Sequence, residues 1–172
     1  IDLISQLFNS AFIINQNLFL LLTCTNINLS LRYGYADSTS FACIVYAFIM
    51  MHPLNRYKEG LEYVECYNRL SQIHLTPSFA GKNHFVMGSF IEPYRFPMAT
   101  AIETISKAYQ CSYEAGDLAY SNYCNILQII ISQMIGKPLN LTEYHIQTAA
   151  LFIKKIRTND FKALTNFRYP FS

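Results

Sequence analysis

"EAGDLAYSNYCN", residues 114–125, sets Gly116-Asp117 inside a region otherwise patterned as helix. An earlier stretch, "RYGYADSTSFAC" from Arg32, has a similar layout: an aromatic residue, Gly, Asp, then small and aromatic residues leading to a Cys. A glycine ends a helix by adopting the left-handed conformation, and an aspartate just beyond it accepts the free N–H groups of the next helix. The pair therefore reads as a tight helix–helix corner and not as a catalytic loop. Asp37 is the cap expected at the first corner, and Gly116 with Asp117 compress stop and start into two residues. Thr76-Pro77 joins a capping hydroxyl to a proline at the first helical position, where its missing N–H costs nothing. Asn159-Asp160 is expected to compress stop and start further on, as Gly116-Asp117 does.

These caps fall at 37, 76, 117 and 159, with spacings of 39, 41 and 42 residues. Between them lie breaks of a second kind, "MHPLNR", "EPYRFP" and "IGKPLN", each containing Pro. The chain thus reads as helix, tight corner, helix, Pro-containing loop, repeated. A non-repeating bundle would share the amphipathicity but not the even corners. The spacing predicts helices over 3–13, 17–34, 38–51, 56–74, 77–91, 97–115, 118–135, 139–157 and from 160 onward. The expected fold is all-α: a tetratricopeptide-like α-α superhelix, a helical-repeat solenoid of about four helix pairs with a period near 40 residues. It is taken as one domain over 1–172.

Apolar residues recur at 3–4 spacing, and strand-like alternation is scarce. In the segment from Met98, one side carries Met98, Ala101, Ile102, Ile105, Ala108, Tyr109 and Ser112, and the other carries Glu103, Lys107, Gln110 and Glu114. Ile146, Ala149, Ala150, Ile153 and Ile156 form a similar stripe. Such helices need neighbours to cover them. "FACIVYAFIMM", 41–51, is too short for the roughly 20 residues that cross a bilayer and reads as a buried core helix.

Hydrophobic residues make up 52% of the 172 and charged residues 14%, which points to surfaces partly covered by neighbouring repeats, a partner or the rest of a longer protein. A net charge of +2 gives no argument for nucleic acid. The five cysteines form no CxxC pair, and four of them lie in apolar or small-residue surroundings that read as reduced, buried thiols in a cytoplasmic protein. Ile1 stands first in place of Met, and the sequence is expected to be a piece of a longer chain.

The segments "NLSLRYGYADSTSFA", "EPYRFP" and "EAGDLAYSNY" together resemble successive landmarks of the tetratricopeptide-like region in large bacterial sensor proteins. Those proteins join a Ser/Thr-kinase-like domain, a signal-transducing P-loop ATPase, this helical region, a GAF domain and often a histidine kinase. The resemblance runs from about Asn17 to Phe161. The family usually carries Trp where this chain has Tyr94. No glycine-rich phosphate loop, kinase catalytic loop or phospho-accepting His motif occurs, so the resemblance implies a non-catalytic part of a signalling enzyme.

The residues themselves offer little chemistry. His52, His74, His84 and His145 are scattered, with no HExxH and no Cys at ligand spacing, so neither a metal nor another cofactor is expected. Cys43 and Cys124 have apolar or amide flanks and read as packing residues. Asp37 and Asp117 are caps and not an acid–base pair. Lys154, Lys155 and Arg157 suit a helix C-terminus. Groove contacts, as in peptide-binding repeats, are assigned to His84, Arg95, Tyr120, Asn125 and Gln128.

The expected function is that of a scaffold. It relays or restrains flanking domains of the same chain and offers a groove to a protein or peptide, with no nucleic acid and no membrane insertion. Exposed end helices are expected to favour self-association. Two rivals stand beside this reading: a free-standing regulator that binds a peptide or small ligand, and an all-helical enzyme built from dispersed residues.

Overall fold

A computed structural model describes residues 1–73 and 76–156, without the side chains of Lys155 and Ile156. Among these residues every regular element is helical and no strand occurs. The chain forms two compact units that meet between Val86 and Met87. The expected corner at Asn159, His74 and Arg157 lie outside the described residues.

The first unit contains α1 (Asp2–Gln6), α2 (Phe8–Ile14), α3 (Gln16–Tyr33), α4 (Thr39–Met51), α5 (Tyr57–Ile73) and α6 (Pro77–Val86). α4 is the core helix expected from "FACIVYAFIMM": 11 of its 13 residues are buried. A helix that is apolar on every side must be surrounded, and α3, α5 and α6 all pack against α4. Phe41 marks the centre, its ring 5.6 Å from Phe8 and 5.9 Å from Phe79. Gly60 sets how closely α5 approaches. A Cβ there would lie 2.4 Å from Met51 Cγ and 3.1 Å from the Ala47 carbonyl oxygen. A buried polar pair joins α6 to α4: the Asn83 amide donates to Ser40 Oγ at 3.1 Å, with both residues buried.

Local chemistry explains two departures from the expected boundaries. The helix expected over 3–13 is interrupted at Leu7, whose N–H reaches only three residues back, to Ile4. Asn15 takes an extended backbone and caps α3 by accepting from the Leu18 N–H at 3.1 Å.

The first corner corrects the assignment of Asp37 as its cap. α4 starts at Thr39 with Ser38 in the cap position, and the Ser38 side chain makes no cap bond. Gly34 turns at φ +92°, and the four-residue connection that follows leaves Asp37 one position too early. The corner is held instead by Thr39, whose hydroxyl accepts from the Ala36 N–H at 2.9 Å and lies 3.0 Å from the Ser30 hydroxyl. The aspartate that meets this corner is Asp2, which accepts from the Ser38 N–H at 3.0 Å. Thr76 needs a similar correction. Its carbonyl accepts from Phe79 and Ala80, while its buried hydroxyl finds no partner among the described residues. Pro77 occupies the first position of α6.

The second unit begins with a π-helical turn (Met87–Ile91) and a 3-10 turn (Glu92–Tyr94), followed by α7 (Met98–Glu114), α8 (Leu118–Met134) and α9 (Leu139–Ile156). The helix expected over 77–91 therefore ends at Val86, and the π turn takes the rest. At the α7–α8 corner Gly116 has φ +75°; its N–H bonds the Tyr113 carbonyl and the Asp117 N–H bonds the Ser112 carbonyl. Both bonds satisfy carbonyls that the helix end leaves free. Asp117 then caps α8, accepting from the Tyr120 N–H at 3.1 Å. The α8–α9 connection repeats the carbonyl closure with Gly136 at φ +71°.

Ala101, Ile105, Ala108 and Ser112 of the α7 stripe are buried, and Glu103, Lys107, Gln110 and Glu114 are exposed. From α8 and α9, Ile129, Ala149 and Ile153 form a core cluster flanked by Ile126 and Ile146. α3, α5, α7 and α9 begin at Gln16, Tyr57, Met98 and Leu139, each 41 residues after the one before.

Cys124 is fully buried in α8, and burial first, with Asp117 and Cys111 adding to it, pushes its thiol up to about 12. In the unfolded chain a thiol ionises near about 8.5. The folded state thus resists losing this proton, so the stability it contributes is whole below about pH 8.5 and declines as pH rises toward 12. Urea titrations between about pH 8 and pH 10.5 are expected to show falling stability. Cys124→Ala is expected to give a shallower decline from a lower starting value.

Candidate functional site

The apolar residues of α8 outnumber those its core cluster can use. Leu127, Ile130, Ile131 and Met134 follow one another at helical spacing on a separate face. This face forms the floor of a cleft of about 310 Å³ within the second unit. Gly88 and Ser89 of the π turn, Pro93 and Tyr94 of the 3-10 turn, and Met98 at the start of α7 complete the lining. The cleft is open on one side, with Met134 and Tyr94 largely in solvent at its rim.

The π turn gives the cleft its shape. A Cβ on Gly88 would lie 2.9 Å from Ile105 Cδ1, so glycine lets this turn settle directly on α7. π turns widen the helical backbone and are enriched at functional sites. Glu92 pins the following turn, one carboxylate oxygen accepting from the Thr104 hydroxyl at 2.8 Å. Two oxygens of this short segment, Ser89 Oγ and Glu92 Oε2, are shielded from water with no hydrogen-bond partner among the described residues. A buried hydroxyl without a partner costs about 1–3 kcal/mol.

The five expected groove residues do not gather here. His84 lies in α6 of the first unit. Arg95 is exposed beside the cleft segment, its guanidinium 5.3 Å from the Phe96 ring. Asn125 and Gln128 turn toward α7: Asn125 hydrogen-bonds the Tyr109 hydroxyl, and the Gln128 amide donates to Ser106 at 3.4 Å. Tyr120 is corrected from groove to core. It is buried, edge-on to Tyr123 at 5.7 Å, and burial above all, with the Asp117 carboxylate, drives its hydroxyl well above the usual phenol range. Sequence spacing placed these side chains on faces of α8 without revealing which face a neighbour covers.

Other chemistry is sparse. No group of three His, Cys, Asp or Glu among the described residues is placed to hold a metal ion. His145 sits half-buried with Lys137 near it, and both burial and that charge lower its pKa. Cys43 and Cys124 are buried, Cys111 is half-buried, and Cys24 and Cys66 are exposed, which corrects the expectation of generally buried thiols. No described helix is long and apolar enough to cross a membrane.

Because Ser89 Oγ has no partner, Ser89→Ala is expected to leave the free protein unchanged or stabilise it by about 1 kcal/mol. Thr104→Val removes the partner of a shielded carboxylate and is expected to cost about 1–3 kcal/mol. Urea unfolding of the two variants beside the wild type checks both signs.

Compared with known proteins, the chain matches no family model, no curated protein and no solved structure.

Proposed function

We propose that the chain is a non-catalytic, tetratricopeptide-like interaction region whose second-unit cleft receives an apolar side chain from a protein or peptide segment. The observation that carries this reading is the cleft itself, with its partly covered apolar floor. An aliphatic or aromatic side chain would fill the space over Ile130, Ile131 and Met134. Recognition of this kind uses a few apolar anchors and a few polar contacts.

The repeat architecture draws support from the 41-residue recurrence of helix starts and from the glycine-closed corners at Gly116 and Gly136. Leu3, Ile13, Ile14, Leu21 and Leu31 of α1–α3 stand largely in solvent. In a repeat array such faces pack on the neighbouring segment, which suits a chain whose partners include flanking domains. The resemblance of the landmark segments between Asn17 and Phe161 is what suggests a region of a cytoplasmic multidomain sensor. There it would restrain or relay the ATPase and kinase modules.

A displayed peptide library selected on the whole chain tests the cleft. Enriched sequences are expected to share one apolar anchor, and Ile130→Glu is expected to weaken their binding at least tenfold while leaving the helical circular dichroism intact. Peptides that bind the Ile130→Glu chain as well as the wild type would overturn the assignment.

A further inference from the structure

We propose that Cys43 and Cys66 form a reversible disulfide with low-molecular-weight disulfides as the oxidant, making the α4–α5 seam a thiol-modification site. This site lies in the first unit and is independent of the cleft.

The geometry is that of two antiparallel helices in tight register. Gly60 meets Ala47 and Met51, Tyr63 meets Tyr46 with ring centroids 4.5 Å apart, and Cys66 meets Cys43 with sulfurs 3.9 Å apart. Each step back along α4 is matched by a step forward along α5. The close approach allowed by Gly60 holds the two backbones near enough that each sulfur needs to move only about 1 Å to reach the bonded separation of about 2.05 Å. Side-chain rotation supplies motion on that scale.

The two thiols are unequal, which sets the order of events. Cys66 is exposed, whereas Cys43 is 4% exposed. Burial, reinforced by Cys66 beside it, pushes the Cys43 thiol far up and keeps it protonated. Cys66 therefore meets the reagent first. Its thiolate attacks one sulfur of RSSR, a Cys66–SR bond forms, the RS–SR bond breaks, and the departing RS⁻ takes up the proton that Cys66 lost. Cys43 then attacks the Cys66 sulfur, the protein disulfide forms, and the second RS⁻ leaves with the Cys43 proton. Two cysteine thiols are oxidised and one RSSR is reduced to two RSH. Burial, the larger cause of the raised Cys43 pKa, persists in the mixed disulfide while the smaller repulsion from Cys66 is gone, so this second attack is the slower step. A third thiol, Cys24 of α3, is exposed and in electrostatic reach of Tyr46 and Tyr63, so it is the natural competitor.

The test incubates the reduced full chain with glutathione disulfide and reads intact mass and non-reduced peptide maps. The expected product has lost two hydrogens, links the Cys43 and Cys66 peptides, and reverts with a thiol reductant. Cys43→Ala is expected to stop at a glutathione adduct on Cys66, and Cys66→Ser, at an exposed position that the fold tolerates, is expected to leave Cys43 unmodified. Cys24→Ser is expected to pair Cys43 with Cys66 as the wild type does. A wild-type chain that stops at the Cys66 adduct, or pairs Cys66 with Cys24, would overturn the proposal.

Discussion

α4 has almost no side chain it can show to water, and the first unit is organised around that fact. With 11 of 13 residues buried, α4 is stable only when enclosed on all sides, so α3, α5 and α6 take their places against it. The enclosure fixes finer details in turn. Gly60 appears where α5 comes nearest, and Phe8 and Phe79 meet Phe41 from separate helices. The Asn83 amide nitrogen is satisfied by Ser40 inside the apolar surroundings. Burying each Leu- or Phe-sized side chain is worth about 1.5–3 kcal/mol, whereas a solvent-screened ion pair such as Arg56–Glu59 contributes little. Apolar burial therefore dominates the architecture, as a chain with 14% charged residues requires.

The second unit solves a different problem. α7 and α9 are amphipathic and bury one stripe each, but α8 carries apolar residues on two faces. One face, through Ile126 and Ile129, enters the core cluster. The other, through Leu127, Ile130, Ile131 and Met134, is covered only in part by the π and 3-10 turns and is left as a cleft. The same turns hold two shielded oxygens without partners. An apolar face left partly uncovered suits a site whose contacts are completed by another molecule.

Features governed by local rules were legible in the sequence. The fully apolar run of α4, the stripe of α7 and the Gly116-Asp117 corner follow from periodicity and capping, which act over a few residues. Features set by distant contacts were not. Asp37 has the composition of a cap, yet the cap position falls to Ser38, whose N–H is met by Asp2 from 36 residues earlier. Tyr120 has the character of a groove residue, but packing made it core. The π turn at Met87–Ile91 is invisible to a 3.6-residue pattern, because "MGSFI" suits a continued α-helix equally well. The cleft was missed with it. Its one sequence signal is the excess of apolar residues in "NILQIIISQMI", more than a single buried face of α8 needs. The approach of Cys43 to Cys66 likewise depends on how α4 and α5 register, which spacing alone does not set.

The account rests on a contrast between a rigid framework and a segment left incomplete for a partner. Amide hydrogen exchange on the intact chain measures that contrast directly. Amides of α4 and of the middle of α7, Ala101–Ser112, whose inner stripe is buried, are expected to exchange slowest, and those of residues 87–96 much faster. Uniformly slow exchange across 87–96, matching α4, would mean that this segment is as complete as the core, and the cleft would then be a packing imperfection and not a site.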